Sequence, residues 1–308
     1  MATDRPLLGI LLMLGFCVLA PLGDSIAKLL GDRMSIGQLL AVRFALQAAI
    51  LVPLIWATGR GFAMSVRVLR LTALRTVLHI VGIGAMFLSL RFLPLADAIA
   101  IAFVMPFIML LLGKTVLNEQ VGPHRLAACA VGFIGTLLVI QPNFASVGAP
   151  ALLPLVVAVV FALFMLVTRQ IAKDCDPVTL QAVSGLMASA LLIPLLLLVS
   201  GHDVPGLQMN RILPRDLWLL AALGILGTCA HLLMTWSLRF APSATLAPMQ
   251  YLEIPFATLI GWLIFADLPN GLAALGIAIT VGAGFYVIHR ERVTARAPAQ
   301  PAPAPPLA

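Results

Sequence analysis

The sequence predicts an all-α polytopic membrane protein whose ten transmembrane helices form two inverted five-helix repeats. Three observations carry that expectation: an apolar composition, ten apolar windows of membrane-crossing length, and a segment that recurs at nearly half the chain length. Of the 308 residues, 61% are hydrophobic and 10% charged, and the mean hydropathy is +1.08. Soluble domains are about half apolar and a quarter charged, so the lipid bilayer is the expected surroundings of this chain. The net charge of +7 fits the basic cytoplasmic loops of membrane proteins, and no nucleic-acid partner is expected.

The windows fall near 7–30, 36–57, 73–92, 95–113, 124–141, 150–171, 178–200, 215–237, 243–265 and 271–289. Each is read as a helix because hydrocarbon offers no partner for backbone N–H and C=O groups. The first is too long for a signal-peptide core and stays as a span. It carries Asp24 and Lys28 four residues apart on one face, with Pro21 and Cys17. Arg43 and Gln47 share a face of the second span in the same way. The two spans run in opposite directions, which places Asp24 and Arg43 at similar depth, where a pair would clamp the helices or orient a charged solute. Lys28 has the simpler option of snorkelling to the interface. Arg60, Arg67, Arg70 and Arg75 form the heaviest basic cluster, ahead of the third span. His79 sits in the inner half of span three and His231 in the inner half of span eight, where helix-packing hydrogen bonds compete with a role on a solute path. In span nine Glu253 is the most buried carboxyl, with Gln250 and Tyr251 a turn earlier, and it is the candidate proton carrier. Proline at 53, 106, 194, 248 and 255 kinks or locally unwinds its helix. Cys17, Cys129, Cys175 and Cys229 have no metal-ligand spacing and read as packing residues. Residues after Val293 are rich in Pro and Ala and read as a disordered cytoplasmic tail.

Ser89-Leu90-Arg91-Phe92-Leu93-Pro94 recurs as Ser237-Leu238-Arg239-Phe240-Ala241-Pro242, an offset of 148. Met86 and Met234, Glu119 and Asp267, and Val139-Ile140 and Val287-Ile288 match at the same offset. Ala41-Val42 and Pro53 match Ala182-Val183 and Pro194 at an offset of 141. The expected organisation is therefore a first five-helix repeat over 1–142, a second over 149–290 and a tail over 291–308. Five is odd, so the second copy enters the membrane inverted, which is a transporter signature with the solute site between the halves. Lys and Arg concentrate on one side, placing both termini in the cytoplasm.

With these residues in place the sequence resembles the drug/metabolite transporter superfamily, in its EamA-type branch. The resemblance is carried by Arg43-Phe44, by the Ala-rich fourth span through Pro106 to Leu117-Asn118-Glu119, by the repeated RFxP junctions, and by Gly132 and Gly135 in the fifth span. It covers about residues 7–290. It implies a bacterial inner-membrane carrier of two five-helix halves around a central cavity, moving amino acids, nucleotide-derived metabolites, riboflavin or similar solutes. The acidic residue closing span nine appears here as Asp267, followed by Leu268-Pro269, and both Glu119 and Asp267 are read as structural.

The functional expectation is a secondary transporter of a small organic metabolite by alternating access, with no cofactor and no metal. Its cavity would be lined from Asp24, Lys28, Arg43, Gln47, His79, His231, Gln250, Tyr251 and Glu253. Tyr251, Trp236 and Phe103 are available to stack a flat ring. A channel or scaffold, and a membrane enzyme of lipid modification using Glu253 or His79 as base, are the competing classes. No HExxH, GxSxG or P-loop appears, so the chain is not expected to be an enzyme. Proton coupling stays open, and oligomeric state is unreadable.

Overall fold

The computed structural model describes residues 5–119, 121–140, 148–200, 202, 204–266 and 271–296. Regular structure among them is entirely helical. In chain order the helices are α1 (Pro6–Gly31), α2 (Ile36–Ala57), α3 (Val66–Ser89), α4 (Leu95–Ala102), α5 (Met105–Val116) and α6 (Pro123–Ile140). They continue as α7 (Leu153–Ile171), α8 (Pro177–Val199), α9 (Leu217–Phe240), the single turn α10 (Ser243–Leu246), α11 (Glu253–Phe265) and α12 (Gly271–Arg296). Seven stretches among the described residues are long and apolar enough to cross a membrane: α1, α2, α3, the α4–α5 stretch, α7, α8 and α9 with its leading turn.

Local chemistry sets the boundaries. Ser35 and Ser65 cap α2 and α3 by accepting from the backbone N–H of Gln38 and Val68. Asp176 caps α8 by accepting from Val178 and Thr179. Each side chain satisfies donors that the first helical turn leaves open. The Ser65 cap starts α3 seven residues before the apolar window at 73, so Arg67, Arg70 and Arg75 belong to the helix.

The fourth window is broken. Pro106 has no N–H and its ring collides with the carbonyl four residues back, so α4 stops at Ala102 and α5 restarts at Met105. The ninth window breaks in a related way: α10 passes into a 3₁₀ segment, Ala247–Leu252, with Pro248 near its start, before α11 begins at Glu253. At the C-terminal end α12 runs to Arg296, so the tail expected from 291 begins as helix.

The helices pack chiefly as four antiparallel pairs: α1 with α9, α2 with α8, α3 with α7, and α6 with α12. Gly9 lies against Ala241 and Gly15 against Leu233, so α1 and α9 run in opposite directions. Small residues allow this closeness. A Cβ on Gly135 would lie 2.8 Å from the Gly276 carbonyl oxygen, so α6 and α12 meet at backbone contact there.

One end of the bundle carries Arg5, Arg60, Arg67, Glu119, Arg169 and Arg239. Arg60 pairs with Asp176 at 3.1 Å and Arg67 with Asp174 at 3.2 Å. Glu119 accepts from Arg169 Nε at 3.2 Å and from the N–H groups of Ser243 and Ala244 at 3.1 and 3.0 Å, which caps α10. That contact gives Glu119 a holding position between the two halves; Asp267 lies outside the described residues. At the opposite end Arg33 pairs with Asp216 at 2.6 Å, and Arg91 donates to the Met34 carbonyl at 2.7 Å.

Candidate functional site

A cavity of about 730 Å³ of unfilled space, its mouth included, lies between α1–α5 and α7, α9 and α11. It occupies the middle of the bundle and the half toward Arg33. Its walls are mainly apolar and aromatic, with Phe16, Met86, Phe87, Phe103, Met105 and Phe161 among them. Three ionisable side chains and one imidazole interrupt that lining: Asp24, Arg43, Glu253 and His231.

Asp24 on α1 and Arg43 on α2 face the same space, as their shared depth requires. They do not touch: no carboxylate among the described residues lies within 4.0 Å of either guanidinium, Arg43 or Arg75. Direct pairing of Asp24 with Arg43, one of the two arrangements the sequence allowed, is therefore overturned: the two ionisable groups face one cavity without contact. Arg43 instead donates through Nη2 to His231 Nδ1 at 3.0 Å and toward the Gly227 carbonyl at 3.5 Å, while Nη1 has no partner. Gly227 makes this possible, since a Cβ there would sit 2.5 Å from Arg43 Nε. His231 Nδ1 also lies 3.0 Å from the Gly227 carbonyl, so one nitrogen meets a guanidinium donor and a carbonyl acceptor, and a neutral ring serves one at a time.

His79 lies beneath the cavity without lining it. Its ring centroid is 4.4 Å from that of His231 and 4.5 Å from that of Phe164. The ring is fully buried, and neither nitrogen has a hydrogen-bond partner. Gly82 and Met86, one and two turns along the same face, do reach the cavity.

Four expected lining residues lie elsewhere. Lys28 Nζ donates to the Leu93 carbonyl at 3.0 Å and stands 5.1 Å over the Phe265 ring, so it snorkels to the bundle end. Gln47 Nε2 donates to the Gln181 carbonyl at 2.7 Å, on the far side of the histidines. Gln250 and Tyr251 fall in the 3₁₀ segment, where they are fully buried: Gln250 Nε2 contacts Met165 Sδ at 2.9 Å, and the Tyr251 ring covers Gly132. Of the three expected stacking rings only Phe103 lines the cavity; Trp236 packs with Leu51 and Ile55. Cys17, Cys129 and Cys175 are buried, whereas Cys229 is exposed and is no core residue.

The polar residue that sequence reasoning misplaced is Arg75. Counted as a loop charge, it is fully buried on α3. Nε donates to Thr168 Oγ1 and Nη1 to Ser184 Oγ, both at 2.8 Å; Nη2 donates to Gln181 Oε1 at 2.9 Å and Thr235 Oγ1 at 3.3 Å. Its Cζ stands 4.4 Å over the Phe164 ring. The signal was present: Thr72, Arg75, Thr76 and His79 form a polar stripe at helical spacing, and Thr228, His231 and Thr235 form another on α9.

The model of the EamA-like transporter family matches twice, at residues 7–141 and 149–288. A protein of Rhizobium johnstonii named riboflavin transporter is 31% identical over 261 residues, 79% of this chain and 82% of that protein. One of Rickettsia prowazekii named S-adenosylmethionine uptake transporter is 24% identical over 278 residues, 89% of this chain and 90% of that protein. A solved crystal structure, 18% identical, superposes with a TM-score of 0.71 and covers 94% of this chain and 98% of its own.

Proposed function

From the premise that this chain belongs to the EamA-like transporter family, we propose that it is a bacterial inner-membrane secondary transporter of a small organic metabolite, working by alternating access. The observation that carries the reading is the cavity. It lies between helices of both halves, and its aromatic walls are interrupted by Asp24, Arg43 and Glu253. Rings and few charges suit a solute that joins a flat heteroaromatic ring to polar groups. Riboflavin and S-adenosylmethionine, the solutes named for the relatives, share that chemistry.

The architecture in this reading is ten crossings in two inverted five-helix repeats. The packing supports it. Exchanging α1 with α7 and α3 with α9 turns the α1–α9 pair into the α7–α3 pair, while α2–α8 and α6–α12 map onto themselves. The paired breaks after α4 and α10 have the same relation. The bundle end with Arg5, Arg60, Arg67 and Arg169 faces the cytoplasm, because basic residues collect there, and removing the buried Arg75 from that side leaves its excess intact. The cavity then opens toward the outside. Glu253, bordering it with no hydrogen bond to its carboxyl among the described residues, is the proton carrier of this scheme.

Counterflow in liposomes tests the reading. Preloaded unlabelled riboflavin should accelerate saturable uptake of labelled riboflavin by the purified chain, and S-adenosylmethionine is the parallel probe. Thermal unfolding should rise with the same solute, by about 2.7 kcal/mol of stabilisation at a hundredfold excess over Kd. Uptake that never saturates would point to a channel instead.

A further inference from the structure

We propose that Arg75 anchors a second solute-binding chamber, closed in this conformation, which takes a hydrogen-bond-acceptor edge of the solute, a carboxylate or ring carbonyl, after it leaves the open cavity. The inference rests on the transporter reading and names a position that the cavity does not contain.

The chamber lies on the other side of His79 and Phe164 from the cavity, toward the end that carries Arg60 and Arg67. A buried cation in hydrocarbon is normally held by a carboxylate. Arg75 has none within 4.0 Å among the described residues; its partners Thr168, Gln181, Ser184 and Thr235 are all neutral. All four come from α7, α8 and α9, whereas Arg75 is on α3. Rocking one half against the other therefore separates the guanidinium from its acceptors. A guanidinium so exposed needs a new acceptor, and a carboxylate or carbonyl edge meets its planar fork better than scattered hydroxyls do.

A second, independent observation is the unmet polarity around it. Gln181 Nε2, Gln47 Oε1 and both nitrogens of His79 are buried without partners. The hydroxyls of Thr168 and Thr235 already donate to the carbonyls of Phe164 and His231, at 2.7 Å each, so only their lone pairs face the cation. Two amide atoms and an imidazole left unmet in this region are groups that a polar solute edge would satisfy. These groups supply donors and an acceptor for a polar solute edge, set one step beyond Arg43 and His231.

Thiol accessibility tests the chamber in the full chain, with its four native cysteines replaced and Ser184→Cys introduced; Thr168→Cys is the parallel variant should one fail to fold. Inverted membrane vesicles expose the Arg60–Arg67 end to the anionic reagent 2-sulfonatoethyl methanethiosulfonate. The introduced thiol should react from that face, and riboflavin at ten times its half-saturating concentration for uptake should slow the reaction at least fivefold. Adding Arg75→Lys, which keeps the charge but loses the fork, should preserve labelling and remove most of the protection. Counterflow by the wild-type chain with a thiol that never reacts, or reacts equally fast with solute present, overturns the chamber alone. Absence of counterflow with both riboflavin and S-adenosylmethionine overturns the transporter reading, and the chamber falls with it.

Discussion

Arg43 looks into an open cavity with Nη2 alone of its guanidinium nitrogens hydrogen-bonded, whereas Arg75, beyond the His79–His231 contact, sets all three nitrogens on four neutral oxygens. Both are buried arginines on neighbouring helices, and both stand near an aromatic ring. They differ in what the opposite half of the protein offers them. Helix α9 presents Arg43 with an imidazole and a glycine carbonyl; α7, α8 and α9 together enclose Arg75. In the proposed cycle a cation left short of acceptors at a void meets the solute in this conformation, and one fully enclosed by the other half holds the halves together until rocking frees it for the solute.

The largest effect should come from breaking the enclosed side. Arg75→Gln removes a charge-assisted network at full burial and should lower stability by on the order of 2–3 kcal/mol, read as a fall in thermal unfolding temperature in detergent. An unchanged melting temperature would mean that the four hydrogen bonds contribute nothing to closure. On the open side the order of effects reverses. Arg43→Gln should cost solute affinity more than stability, about tenfold in Kd or 1.4 kcal/mol, measured as a smaller riboflavin-induced thermal shift.

The gap between Asp24 and Arg43 sharpens the contrast. Because the two groups face one cavity and feel each other without touching, the stability changes of Asp24→Asn and Arg43→Gln should couple in the double variant by only about 0.5–1 kcal/mol. A coupling well above that would mean that the two side chains meet in solution. Glu253→Gln, which keeps shape and hydrogen-bonding capacity, should leave melting temperature and solute shift intact while flattening the pH profile of uptake. Identical profiles would reduce Glu253 to a wall residue. The smallest effect belongs to the surface: Arg67→Gln breaks an ion pair whose side chains are 66% and 45% exposed, and should change stability by less than about 1 kcal/mol.

The all-helical class was legible because hydrocarbon leaves the backbone few options, and seven of the expected windows are helices of membrane-crossing length among the described residues. Asp24, Arg43, His231 and Glu253 were legible as well, since an ionisable residue inside an apolar window has few reasons to be there. The Arg75 network was legible only as polar stripes on α3 and α9, not as one constellation. Its arginine stands near the start of a window, where it reads as a loop charge, and its partners are hydroxyl and amide residues scattered over three later helices. Such residues are ordinary in any membrane helix; only three-dimensional convergence distinguishes them. Nor did the sequence show that Gln250 and Tyr251 would face inward, because the 3₁₀ winding around Pro248 turns residues by a different angle per step than the α-helical reading assumes.

The one-sided enclosure of Arg75 also bears on sidedness. In the proposed cycle a solute arriving at the cavity finds a vacant receptor in the resting state. A solute arriving from the other face binds only the fraction of molecules whose enclosure has come apart, and its apparent Kd is the intrinsic value divided by that fraction. If one molecule in a hundred were open on that face, the same intrinsic affinity would read about a hundredfold weaker there. Detailed balance keeps the flux per unit concentration equal from the two faces at low concentration, so the asymmetry would show only as solute rises, with the strength of four hydrogen bonds setting how far apart the two half-saturation points lie.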